Sequence, residues 1–308
     1  MNPPAPSPTG HPVRVTDHYG ITGTVPFVDV AVHQDNLLFL DPSAIRNDPG
    51  PLGRRAHAQL LGFFGEVLRC RTSTVPADHA KGRALLQNLH EPNQTRLGMS
   101  AAGAAGHGLG DGIGAGLWDE LHANPACGVA ALTRIEDLRL FVDGIGDDLV
   151  SDLTTRIVFD VLVDFTHQMM LRYPTLTIGQ STEDVDVWDH ATTRWVSRSV
   201  TLPYVHPHQL LLVPRRWIWW RMLMDPNVFY NRYGTETVQA ERTTVDSKGR
   251  ILRPSKASLH QEFPHVRGLN NERAVKHMRA GEDLVGRYRQ RVDGDFHEMT
   301  AEQVKART

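Results

Sequence analysis

Residues 151–173 read SDLTTRIVFDVLVDFTHQMMLRY, and their spacing decides the helical half of the fold. Leu153, Ile157, Val161 and Phe165 recur every fourth residue, the interval that puts apolar side chains on one face of a helix. Ser151 or Asp152 is a natural N-cap, so one long helix is predicted over 151–173, ended by Pro174. Beyond it the pattern turns to β at Leu176–Ile178, Trp195–Leu202 and Gln209–Val213. Arg242–Arg253 reads as a hairpin turning at Asp246-Ser-Lys-Gly249, and residues 255–305 read as polar helices.

Upstream, Val25–Val30 and Leu37–Leu40 are β-branched and apolar enough for strands, the second stopped by Asp41-Pro42. Leu60, Leu61, Phe64, Val67 and Leu68 give residues 54–70 a helical apolar face, and 78–90 continues as a second helix. Residues 129–134 and 139–143 read as short strands. Between Gly98 and Gly116 glycine is too frequent for a helix or a strand, and a helix starts after it at Leu117. These elements predict an α/β or α+β fold: a central mixed sheet flanked by helices, with a helical C-terminal extension. Residues 1–24 read as a flexible tail, 25–225 as the core domain, and 226–308 as a basic hairpin plus helices.

The 308 residues, 40% of them hydrophobic and 22% charged, are enough for a full core without staples. Cys70 and Cys127 form no disulfide framework and no zinc pattern. No run approaches a membrane span, and the proline-rich start does not resemble a signal peptide, so no membrane association and a cytoplasmic location are expected. The net charge of −2 hides an asymmetry, −8 over residues 1–199 and +6 over 200–308. Either the C-terminal third meets an anionic partner or it docks on the acidic part.

Several constellations carry candidate chemistry. Leu140–Asp143 reads as a strand delivering a carboxylate, followed by Gly144-Ile-Gly146, Asp147, Asp148 and Asp152. Carboxylates crowded at one corner suit a hard cation, so Asp143, Asp148 and Asp152, joined by Glu91, are the candidate Mg²⁺ ligands and catalytic residues. The alternative is that Asp147 and Asp148 are solvated and Asp152 caps its helix. Gly106, Gly108, Gly110 and Gly112 precede a helix, where free N–H groups can meet phosphate, or they serve only flexibility. Arg215, Arg216 and Arg221 stand among tryptophans in PRRWIWWR, a combination suited to phosphate contact and base stacking, although Trp217 and Trp220 also fit a helix core face. Lys248, Arg250, Arg253 and Lys256 form a candidate basic ridge on the hairpin, nucleic acid being its partner, or a solvated tip. His206-Pro-His208 would put two imidazoles on one side of a strand, as a metal site needs.

The strings Asp35-Asn-Leu-Leu-Phe-Leu-Asp-Pro42, Glu91-Pro-Asn-Gln-Thr-Arg-Leu-Gly98 and Gly144-Ile-Gly-Asp-Asp-Leu-Val-Ser-Asp-Leu-Thr155, with Leu211–Pro214 and Ser255-Lys256, resemble uncharacterised bacterial proteins of mobile-element and phage-defence neighbourhoods. Gly-Asp-Asp148 followed by Ser-Asp152 is also similar to the aspartate motif of PD-(D/E)XK nucleases, whose second acidic residue and lysine are matched only by Asp246-Ser-Lys248. The resemblance implies a metal-dependent nucleic-acid-processing protein, a nuclease effector of antiviral defence. The alternatives are a non-catalytic subunit that binds nucleic acid or a protein partner, in a complex or homo-oligomer, and a nucleotide sensor working through the glycine loop.

Overall fold

The computed structural model describes residues 12–89, 92–98 and 113–308. It is an α+β fold with a helical C-terminal region. At its centre lie α8 (Asp147–Ile157) and α9 (Phe159–Arg172), which bury Val150, Leu153, Ile157, Phe159, Val161 and Leu162 completely. The expected single helix is thus two, broken at Val158 (φ −97°, ψ 15°). Thr154 and Thr155 turn their hydroxyls back onto the carbonyls of Val150 and Ser151 at 2.6 and 2.8 Å. Such back-bonding and β-branched crowding weaken a helix at this point.

Ahead of them run α1 (Val15–Tyr19), α2 (Pro42–Arg46), α3 (Pro51–Thr72), α4 (Pro76–Gln87), α5 (Ile113–Ala123), α6 (Pro125–Gly128) and α7 (Leu138–Phe141). The long α3 starts with Pro51 in its first turn and buries Ala56, Leu60, Phe63, Phe64 and Val67 against the centre. Asp41 caps α2, its carboxylate accepting from Ser43 N at 2.6 Å. Residues 12–24 are no tail where they are described: Val15 is fully buried, and Thr16 donates through N and Oγ1 to Asp29.

Among the described residues strand content is divided among four two-stranded antiparallel ribbons and not gathered into a central mixed sheet: β1 (Phe39–Leu40) with β6 (Ile218–Trp219), β2 (Ser181–Asp189) with β3 (Arg194–Leu202), β4 (Tyr204–Val205) with β5 (His208–Gln209), and β7 (Thr244–Val245) with β8 (Ile251–Leu252). Val25–Val30 pairs only irregularly, through Val28 N to Val213 O and Arg215 N to Pro26 O. Residues 129–134 and 139–143 are not strands. Asp137 accepts from Thr133 N and Arg134 N at 3.0 and 2.8 Å, capping a tight turn that runs into α7. Short apolar runs fit either state, and here the cap decides.

After residue 225 come α10 (Pro226–Phe229), α11 (Thr235–Glu241), α12 (Lys256–Glu262), α13 (Val266–Arg279), α14 (Leu284–Asp295) and α15 (Ala301–Lys305). This region shares the main core: Val275, Val285, Tyr288 and Val304 join its apolar cluster. Arg289 donates to Asp137 at 2.7 Å, and Arg46 donates to Asp293 at 2.7 Å. Among the described residues no helix is long and apolar enough to cross a membrane.

Candidate functional site

Asn36 organises a polar cleft. It is fully buried, accepts from Ala31 N at 2.9 Å, and donates to the carbonyls of Ala31, Gln34 and Arg96. Its own backbone accepts from Gly98 N at 3.1 Å. Segments 31–36 and 92–98 are thereby stitched into one wall. Arg96 takes the left-handed conformation (φ 56°) and donates to the carbonyl of Val205 at 2.8 Å, which adds the β4–β5 hairpin as a second wall. Asp148, in the first turn of α8, closes the third side. Its carboxylate lies so near Gly98 that a Cβ there would stand 2.6 Å from Oδ1, and Gly98 itself has φ 119°, so only glycine fits.

The resulting cleft of about 250 Å³ is lined by His33, Asp35, Arg96, Asp148, His206 and His208 among others. Arg96 is its unusual member. The residue is only 9% exposed, its Nε has no hydrogen-bond partner, and no carboxylate among the described residues pairs with it. Burial lowers the pKa of its guanidinium, with nearby Asp35 acting in the opposite sense. A buried guanidinium without an ion-pair partner is costly, and an incoming anion removes that cost.

Of the predicted acidic corner, the structure brings Asp148 to this cleft. Asp143 points elsewhere: its side chain is 90% exposed and stands 3.6 Å from Arg267. Asp147 is drawn to Arg139 at 2.6 Å. Residues 140 and 141 lie in α7 and not in a strand, so no strand end delivers Asp143 to the corner. Asp152 follows Asp148 by one turn of α8, on the same side of the helix. Among the described residues no group of three or more His, Cys, Asp or Glu is arranged to hold a metal ion. Glu91 and the glycines at 106, 108, 110 and 112 lie outside the described residues.

His206 and His208 do not alternate along one strand. His206 and Pro207 form the turn between β4 and β5, with Val205 paired to His208, and both imidazoles still line the cleft. The basic candidates are dispersed. Arg215 borders a separate groove beside Asp17, Asp29 and Lys305. Arg216 pairs with Glu298 at 3.1 Å, and Arg221 stacks on Trp220 at 4.4 Å. Trp217 is core, its Nε1 donating to Asp48 at 2.7 Å, whereas Trp220 is 39% exposed. On and beside the hairpin, Lys248 is exposed at the turn, Arg250 pairs with Asp246 at 2.7 Å, Arg253 donates to Gln239, and Lys256 pairs with Glu236 at 2.8 Å. Acidic partners within the chain thus offset much of the basic ridge.

The sequence reading missed His33 and Arg96. Arg96 lay inside a quoted string, but nothing local marks an arginine as buried. The two cysteines are buried, and burial pushes Cys127 up to about 11, which makes it a poor nucleophile.

An α+β domain whose cleft is built by residues 32–208 defines the class. The family model "Domain of unknown function (DUF8370)" matches residues 20–225, and the chain belongs to this family. Every segment lining the cleft falls inside the matched region, while the hairpin and the later helices fall outside it. No curated protein matches the chain, and no solved structure does.

Proposed function

We propose that this chain binds a phosphate of a nucleic acid in the Arg96 cleft and processes the phosphodiester there, as a nuclease of bacterial antiviral defence. Arg96 carries the proposal, being a buried guanidinium that opens on a polar cleft and makes no ion pair with a carboxylate among the described residues. Guanidinium suits the planar, bidentate recognition of phosphate oxygens. His206 and His208 are placed to donate to the same phosphate or to pass protons to a leaving oxygen. Asp148 offers the one carboxylate in the mouth contributed by a helix, where it can orient an attacking water.

The test is incubation of the purified chain with plasmid DNA and with RNA, in Mg²⁺, in Mn²⁺ and in EDTA, beside Arg96→Met and Asp148→Asn. Cleavage reduced at least a hundredfold in both variants is the expected result. Equal cleavage by all three proteins overturns the assignment to this cleft.

A second reading is a non-catalytic nucleic-acid-binding subunit in which Arg96 only holds the phosphate. It predicts salt-sensitive nucleic-acid binding that is lost in Arg96→Met, with no turnover under any metal condition.

A further inference from the structure

A second cleft, of about 470 Å³, lies between α3, the first turn of α9 and the β2–β3 ribbon, at a different set of residues from the Arg96 cleft. Ala58 and Gln59 face it from α3 together with Arg55, and Asp160 faces it from α9. Val187 and Val196, directly paired across the ribbon, supply an apolar wall. Trp188 lies beside them, held edge-on against Phe63 at 5.0 Å.

Three polar atoms in this wall have no partner: Gln59 Oε1, Asp160 Oδ1 and Trp188 Nε1. Their residues are 6%, 9% and 1% exposed. Buried polar atoms in folded proteins are almost always hydrogen-bonded, so three orphans on one cleft call for an explanation. Each of the three atoms is almost wholly enclosed. Above them the exposed His190 ring rests over Gly62, where a Cβ would stand 2.2 Å from Nδ1. A ligand reaches these atoms only if that ring and the Gln59 amide rotate aside.

The orphans define the chemistry of what they lack. Gln59 Oε1 and Asp160 Oδ1 accept, and Trp188 Nε1–H donates. A cationic ligand gains little, since Arg55 already holds Asp160 Oδ2 at 2.6 Å and the Asp189 carboxylate accepts from Ala191 N and Thr192 Oγ1. The remaining carboxylate oxygen therefore asks for a neutral N–H. A flat ring against Val187 and Val196, with two adjacent N–H donors and a carbonyl acceptor along one edge, meets all three atoms. Guanine has that edge, whereas adenine and uracil each offer fewer donors. We infer that this cleft is a guanine-nucleoside site, with Arg198 and His190 at its rim to meet any attached phosphate.

Titration calorimetry with guanosine, adenosine, cytidine and uridine tests it on the intact chain. Saturable guanosine binding, at least tenfold tighter than that of the other three, is expected. Gln59→Leu, which keeps the shape and removes one acceptor, should weaken guanosine binding about tenfold with an unchanged melting temperature. Arg96→Met should leave guanosine binding intact, which separates this site from the phosphodiester cleft. Absence of saturable guanosine binding, equal affinity for all four nucleosides, or unchanged affinity in a folded Gln59→Leu protein would each overturn the inference.

Discussion

Asn36 donates through Nδ2 to the carbonyl of Arg96 at 2.8 Å, tying together two segments 60 residues apart and fixing the arginine that faces the cleft. The same side chain also bonds Ala31 through both its oxygen and its nitrogen. Asn36→Leu is close in volume but leaves the Ala31 N–H and the Arg96 carbonyl without their side-chain partner. We expect a loss of about 3 kcal/mol in urea unfolding, because orphaned buried groups cost about 1–3 kcal/mol each. An unchanged midpoint would show that the two segments are held by other contacts.

Asp143 and Asp148, equivalent in the sequence reading, separate in the structure. Asp143→Ala removes an exposed carboxylate with one long ion pair to Arg267. It should leave phosphodiester processing at the wild-type rate and stability within about 0.5 kcal/mol. Asp148→Asn should lose processing while the protein remains folded. The reverse pattern in a side-by-side assay would return the chemistry to the original corner.

Arg46 is the hub of a buried charge network. It pairs with Glu136 and with Asp293, and Asn47 also donates to Asp293 at 2.9 Å. Arg46→Met strands Glu136, which is 5% exposed, without its main counter-charge. Breaking a buried pair from one side costs roughly 3–5 kcal/mol. A double variant, Arg46→Met with Glu136→Gln, should recover part of that loss in thermal unfolding, whereas simple additivity would argue against direct coupling.

Acid sensitivity has two opposing sources near the same helix. His57 is held down to about 4, first by burial and then by Arg134 and Arg46. The unfolded chain therefore binds the extra proton first, and this contribution is complete above about pH 6.5 and is lost as the pH falls toward 4. Asp41 is pushed up to about 6 by its burial, against the N–H donors of Leu223 and Ser43. Its contribution runs the other way, present below about pH 4 and lost as the pH rises through about 6. Relative to wild type, His57→Gln should therefore gain stability at about pH 4.5 compared with pH 7. Asp41→Asn should cost less at pH 7 than at about pH 4.5. Melting temperatures that shift in parallel at both pH values would contradict both assignments.

What could be read without coordinates was what near neighbours decide. The apolar intervals of 54–70 give α3, Pro174 stops α9, and Asp246-Ser-Lys-Gly249 makes the turn between β7 and β8. A helix face or a turn is fixed within a few residues, so its signal is local. The β2 strand carried only a short signal, the alternation Asp184-Val185-Asp186-Val187, which spans four of its nine residues. It exists through nine residue pairs with β3, an energy that belongs to the pair and not to either segment.

The site follows the same division. Asp148 and the His206–His208 pair were visible as residue types with possible chemistry, and the strings around Asn36, Arg96 and Asp148 were visible as strings. That they meet in one cleft, that Asp143 turns away to Arg267, and that Arg96 is buried were decided by tertiary structure alone. Local spacing sets which face of an element is buried. Which charges face one another across distant segments depends on how the whole chain closes around its core.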